Sequence, residues 1–271
     1  MPVDCVVAQA HRVLLQQANA LTQCAERLLK QPDAYDSAIR ILYETLQGHP
    51  NAYRLSAQWR PAGAEDNASV CTDDSAQDQH AGEDMTGVAS GLNNCCRECG
   101  APPTASAHMH HASWAPRPCK IVVTGVGKSG HVARKVCATL QSTGSLAVFL
   151  HPTEALHGDL GVLAPGDALL VFSHSGRTEE LVRLVQVLRE QQRACRVVAV
   201  CGNASSPLGL LSDAWVDARV DAESDPALPA PTASTTLALA LGDCLALALA
   251  RMRAVTARDF AENHPGGNLG R

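Results

Sequence analysis

KIVVTGVGKSG (residues 120–130) is a run of apolar, mostly β-branched residues that stops at glycines. It passes directly into HVARKVCATLQST (131–143), whose apolar positions return at helical spacing. A buried strand, a tight turn and a helix in that order open a βαβ unit. Downstream, LAVFL (146–150), DALLVFS (167–173), RVVAVCG (196–202) and AWVDARV (214–220) repeat the strand pattern, with helical stretches between them. Strands alternating with helices of about 10–15 residues need crossover connections, hence a parallel sheet covered on both faces. The fold class is therefore α/β, a three-layer, doubly wound domain with a five-stranded parallel sheet and helices on both faces. Helices over 232–253 and 256–262 close it.

Upstream, residues 3–47 read as two helices, with Val6, Val13, Leu14, Ala18, Leu21, Ala25 and Leu28 on one stripe and Ala38, Ile39, Ile41, Leu42 and Leu46 on the next. Pro32-Asp33 separates them and Gly48-His49-Pro50 ends the second. Between helix and strand the character changes. PAGAEDNAS, DDSAQDQHAGED and APPTASAHMHHASWAPRP carry no sustained apolar period and an acidic bias. Such a stretch cannot bury enough apolar surface to offset its ordering entropy. The expected organisation is N-terminal helices over 1–48, a low-complexity, disordered insertion over 49–118, and the α/β domain over 119–271.

Composition narrows the function classes. Of 271 residues 46% are hydrophobic but only 3% aromatic, so the core must be built of Ala, Val and Leu. A formal net charge of −5 offers no clustered basic footprint, and no nucleic-acid partner is expected. MPVDCVVAQAHRV lacks the basic and apolar regions of a signal peptide. The longest apolar run, 237–250, falls short of the roughly 18 residues of a membrane span, and Asp243 interrupts it. Eleven cysteines, several inside apolar runs (Cys137, Cys195, Cys201, Cys244), read as reduced core thiols rather than a disulfide frame. The expectation is a cytoplasmic protein without a membrane partner. Cys95, Cys96 and Cys99 with His108, His110 and His111 have zinc-type spacing. Their surroundings have no strand–knuckle pattern, so no resident metal is expected.

In an open parallel sheet, ligands bind at the carboxyl ends of strands where the strand order reverses. The first such loop is Gly125-Val126-Gly127-Lys128-Ser129-Gly130, opening a helix. Glycines admit an anion close to the backbone, and a helix start adds free N–H groups and a positive dipole end. The loop matches G-x-G-x-x-G, yet His151-Pro152 stands where a dinucleotide site needs an acid. Val122 likewise replaces the first glycine of a Walker A loop. The third-strand loop, Ser173-His174-Ser175-Gly176-Arg177-Thr178, places three hydroxyls round a glycine at another helix start. Two such loops side by side suit one phosphate monoester. Glu154 and His157 share a helical face, and His264-Pro265-Gly266-Gly267 fixes a turn near the last residue.

Five ordered segments, VTGVGKSGHVARKVCATLQSTG, FLHPTEALHGDLG, SHSGRTEEL, APTASTTLALALGDCLALAL and DFAENHPGGNLG, resemble sugar isomerase (SIS) domains. Among these they are most similar to the D-arabinose 5-phosphate isomerases of the KpsF/GutQ type. The resemblance implies a sheet of flavodoxin-like order and a homotetramer with active sites at subunit interfaces. It also implies interconversion of ribulose 5-phosphate and arabinose 5-phosphate through a cis-enediol, without a redox cofactor. It places Gly127, Lys128 and Ser129 in the substrate- and phosphate-contacting loop, and Ser173, Ser175 and Thr178 in the phosphate cradle. It assigns His157 to sugar-ring handling, Glu180 to a second acidic position after the cradle glycine, Glu223 to proton transfer and His264 to the C-terminal catalytic histidine.

Around Glu223 the sequence departs from the usual form, leaving Asp221 and Asp225 as the other candidate acids. Members often continue into paired CBS domains, whereas this sequence stops at Arg271, so regulation through that module is expected to be absent. The expected chemistry makes His264 or Glu223 the base, the other its proton partner, and Lys128 a stabiliser of oxyanion charge. An isomerase for a different phosphosugar and a non-catalytic sugar-phosphate-binding module are the competing readings.

Overall fold

The computed structural model describes residues 3–48 and 118–270. Almost all of the expected insertion, with its Cys96/Cys99 and histidine cluster, lies outside the described residues. The elements are α1 (Val3–Lys30), α2 (Pro32–Leu46), β1 (Ile121–Gly125), α3 (Gly127–Ser142), β2 (Ala147–Phe149), α4 (Pro152–Leu156), β3 (Ala168–Phe172), α5 (Glu179–Glu190), β4 (Arg196–Cys201), α6 (Pro207–Leu211), β5 (Ala214–Asp217), α7 (Ala233–Met252) and α8 (Ala257–Glu262). The sheet order is β2-β1-β3-β4-β5 with every pair parallel, the flavodoxin-like order. Sequence and structure agree on all five strands. β5 is shorter than the apolar run suggests, because the Asp217 carboxylate takes the backbone N–H of Arg219 (2.9 Å) in a local turn that ends the ladder.

Alternation along the strands divides the core in two. Ile121, Val123, Leu170, Phe172, Val198, Val200 and Val216 face α1, α2, α3 and α7. Val122, Leu169, Val171, Val197 and Ala199 face α5 and its neighbours. Among the described residues Phe172 is the one fully buried aromatic, so helices lie close to the sheet on Ala, Val and Leu.

The N-terminal helices are part of the first layer. Gln31 alone separates α1 from α2, and Pro32 occupies a first-turn position where its missing N–H costs nothing. Arg196 at the start of β4 reaches Glu44 (2.6 Å) and the Ile41 carbonyl (3.1 Å), while Arg27 bonds Asp217 (2.8 Å) at the end of β5. The buried Asp167 carboxylate takes the Lys120 N–H (2.9 Å), the Lys120 ammonium (2.6 Å) and the Ala164 N–H (2.8 Å), fixing the entries to β1 and β3.

Two further details depart from the sequence reading. Helix α7 has 20 residues and a mean hydropathy of 1.7, so by length and composition it could cross a membrane; half of it is buried within the protein. Asp243, which interrupts its apolar face, is paired with Lys135 of α3. Cys244 on the same helix is exposed rather than a core thiol, whereas Cys137, Cys195 and Cys201 are buried.

Leu42 is fully buried in the cluster that joins α2 to the sheet. Leu42→Ala is expected to lower unfolding free energy by about 2–5 kcal/mol in urea titrations, the usual cost of such a truncation. A loss below about 1 kcal/mol would mean that α2 is an appendage rather than a core layer.

Candidate active site

The registers align the carboxyl ends of the two central strands, Gly125 of β1 lying beside Phe172 of β3. Their loops leave the sheet side by side at the point where the strand order reverses. In the first loop, Gly127 adopts φ +57°, turning the chain at once into α3. A Cβ on Gly125 would come within 2.7 Å of the Ser129 carbonyl oxygen, and one on Gly130 within 2.8 Å of the Gly125 oxygen. Strand end and helix start therefore touch backbone to backbone. That brings Lys128 and Ser129, in the first turn of α3, to the mouth of the cleft.

The second loop is bound up by its own hydroxyls. The buried Ser173 hydroxyl lies 2.9 Å from that of Thr178 and takes the Gly176 N–H at 3.2 Å. Ser175 takes the Arg177 N–H at 3.2 Å. Gly176 has φ +64°, and a side chain there would overlap the buried Ser206. The β4–α6 turn supports the loop from behind. The Gly202 N–H donates to the His174 carbonyl (2.9 Å) and the Leu208 N–H to that of Gly176 (3.0 Å).

A cleft of about 210 Å³ opens between these loops and the start of α7. Lys128, Ser129, Ser173, His174, Ser234 and Thr235 form its polar rim, and side chains such as Phe172, Val200 and Ala238 its apolar floor. Among the described residues no group of three His, Cys, Asp or Glu side chains is placed to hold a metal ion.

Glu223 organises the third wall. Its Oε2 accepts from the Thr232 N–H (2.8 Å), the Thr232 hydroxyl (3.1 Å) and the Ser234 N–H (3.3 Å), while the Ser234 hydroxyl donates to Oε1. Burial pushes this carboxyl up. The hydroxyl and backbone donors of Ser234 and Thr232 together outweigh that and hold it below the ordinary glutamate range. Glu223 is thus an ionised cap on the start of α7 that aligns Ser234 on the cleft. Asp221 instead takes the Gln23 side chain at 2.9 Å, and Asp225 caps the backbone of Ala227 (2.8 Å), both on exposed loops.

Of the sequence candidates only Lys128, Ser129 and Ser173 line the cleft; Gly127, Ser175, Thr178 and Glu223 lie on the same loops behind the lining, and three others lie further off. His157 follows α4, and Glu180 sits in the first turn of α5; both are exposed, on the same edge of the sheet as the cleft. His264 is at the opposite edge. The Asn263 amide donates to the carbonyl of Ser142, the last residue of α3 (3.3 Å). Lys128 stands at the other end of that helix, roughly 20 Å away at 1.5 Å per residue. One chain therefore brings Lys128, Ser129 and Ser173 to one cleft, with Ser234 held there by Glu223, but not His264. Sequence reasoning missed His174 and the apolar floor. Only the position of His174 between two cradle serines could have signalled its exposure to the cleft.

Comparison with known proteins places the chain among proteins of one family. The SIS domain model matches residues 117–248. Over 152 residues the chain is 47% identical to arabinose 5-phosphate isomerase KdsD of Pseudomonas aeruginosa, covering 56% of this chain and 46% of that one. The chain thus spans about half the length of the curated relatives it matches. A solved structure from E. coli CFT073, in complex with arabinose 5-phosphate, is 39% identical, with a TM-score of 0.52 over 54% of this chain and 77% of that one. A solved structure from Listeria monocytogenes, 23% identical, matches 98% of this chain and 100% of its own with a TM-score of 0.62, a likeness of fold alone. With its strand order, paired glycine and serine loops and these matches, the chain belongs to the SIS domain family.

Proposed function

We propose that the protein is an aldose–ketose isomerase that interconverts D-ribulose 5-phosphate and D-arabinose 5-phosphate. The observation that carries the reading is the cleft at the switch point, where a cation and a hydroxyl from one helix start meet the hydroxyl cradle of another. The relatives named as arabinose 5-phosphate isomerases, and the relative solved with that sugar phosphate, support the choice of sugar.

In this reading Ser173, Ser175 and Thr178 take the phosphate, helped by the N–H groups left free at the start of α5. Binding energy from the phosphate, remote from the reacting carbons, holds the sugar in a reactive pose. A base removes a proton from C1 of the ketose and returns it to C2, while a proton moves between the two oxygens. No electrons leave the sugar. Lys128 stabilises the negative charge that develops on the oxygens of the cis-enediol.

We assign the base to His264 rather than Glu223. The Glu223 carboxylate is engaged by four donors and held below the usual range, which weakens it as a base at neutral pH. His264 is then supplied by a second copy of the chain, since its own cleft lies at the other end of α3. The exposed apolar side chains Val6, Val7, Leu14 and Leu15 on α1 and Leu247 on α7 support association, which we take to be a homotetramer. His157 and Glu180 are assigned to ring handling and to proton relay at the rim. Residues 119–271 form the catalytic module, 1–48 complete its core, and 49–118 are an insertion between them. The seven described cysteines, all unpaired with one another, support a reducing, cytoplasmic compartment.

Proton NMR of the purified protein with ribulose 5-phosphate in deuterium oxide tests the reading. Arabinose 5-phosphate carrying deuterium at C2 is the expected product. Line broadening of the sugar phosphate without turnover would identify a binding module instead.

The capping role of Glu223 has a separate signature. Its folded pKa is depressed, so its contribution is full above the unfolded value and disappears as pH falls through the folded one. Glu223→Gln should melt below the parent at pH 7, and the difference should shrink as pH falls below the ordinary glutamate range. A constant offset across that range would remove the charge of Glu223 from the account.

A further inference from the structure

Residues 253–270 are held in place by several specific contacts. Thr256 and Asp259 form a reciprocal capping box that starts α8: the Asp259 N–H donates to the Thr256 hydroxyl (3.2 Å), and Asp259 accepts from the Thr256 N–H (2.7 Å). Just upstream, the Arg253 guanidinium donates to the Gly144 carbonyl (2.8 Å). Just downstream, Asn263 donates to Ser142. The segment is therefore pinned to the end of α3 at two points. Beyond it the chain reverses, the Gly267 N–H donating to the His264 carbonyl at 3.2 Å.

What this frame holds is one imidazole. His264 Nδ1 lies 2.7 Å from the carbonyl oxygen of Phe260. A carbonyl oxygen has no proton to give, so Nδ1 must carry it. In the neutral ring the lone pair then resides on Nε2. The Phe260 ring lies against the imidazole, centroids 4.2 Å apart and planes tilted by 34°, which restricts rotation of the histidine about its side-chain bonds. Phe260 thus acts twice, its backbone selecting the tautomer and its side chain the ring plane.

We infer that Phe260 is a positioning residue that presents His264 Nε2, unprotonated, to the cleft of a neighbouring copy. The inference rests on the isomerase reading for its purpose but not for its geometry. A base must have its lone pair aimed at the carbon-bound proton, and an imidazole free to flip would offer that nitrogen only part of the time. Fixing it beforehand removes this cost from each turnover.

The tautomer is measurable without turnover. In the full chain labelled with nitrogen-15 histidine, long-range proton–nitrogen correlation spectra distinguish Nδ1–H from Nε2–H, and His264→Gln identifies the signal. Protonated Nδ1 in the neutral ring is expected; protonated Nε2 overturns the inference. Phe260→Leu is expected to lower kcat about ten- to hundredfold with KM within about twofold, and Phe260→Tyr, which keeps the ring, to restore most of it. Parent-like kcat in Phe260→Leu also overturns it. A chain inactive on every phosphosugar yet carrying protonated Nδ1 contradicts the isomerase reading alone. An active one with protonated Nε2 contradicts this inference alone.

Discussion

The backbone contact between Gly125 and the Ser129–Gly130 peptide sets the geometry of the cleft. Strand and helix can approach so closely only because neither glycine has a Cβ. This approach places the first turn of α3, with its free N–H groups, directly over the end of β1. The position of Lys128 is thus a consequence of packing, and the cradle on β3 meets it because the two strand ends are in register. The cradle in turn rests on the β4–α6 turn, where Ser206 fills the space that a side chain on Gly176 would need. Three adjacent strands, β1, β3 and β4, thus contribute to the loop packing around one cleft.

The near absence of aromatics serves the same end. A core of Ala, Val and Leu lets α3 and α7 lie close to the sheet, and Gly242 of α7 packs directly against Val136 of α3. The start of α7 is thereby brought over the ends of the strands, where Glu223 caps it and Ser234 enters the rim. Asp243 keeps the helix compatible with its surroundings by pairing with Lys135 at the outer side of this contact. The cap and the ion pair explain two acids that composition alone left without partners.

Much of this was legible from the chain. The glycine loop and the run before it fixed a strand–turn–helix, and four further apolar runs fixed the sheet, because buried parallel strands leave near-continuous apolar stretches. The hydroxyl-rich loop after β3 was legible as three hydroxyls around a glycine at a helix start, whereas the hydrogen bonds that tie it together were not. Other features depend on long-range pairing and carry no local signal. Glu223 reads as one acid in an acidic loop until Thr232 and Ser234 are folded onto it. The docking of α1 and α2 depends on Arg196 and Arg27, which lie 152 and 190 residues from their partners. The placement of His264 at the far end of α3 was likewise hidden, since proximity to the end of the sequence says nothing of proximity to a cleft.

With the proposed function, that placement means that a complete site needs the cleft of one copy and the imidazole of another. Mixing two inactive variants, Lys128→Met and His264→Gln, tests it most directly. Each variant retains one half of the machinery, so subunit exchange should regenerate intact pairings at roughly a quarter of the sites if copies associate at random. Recovery of activity to about that fraction of the parent is the expected result. Two active single variants, or a mixture that stays as inactive as its components after the copies have exchanged, would contradict a shared site.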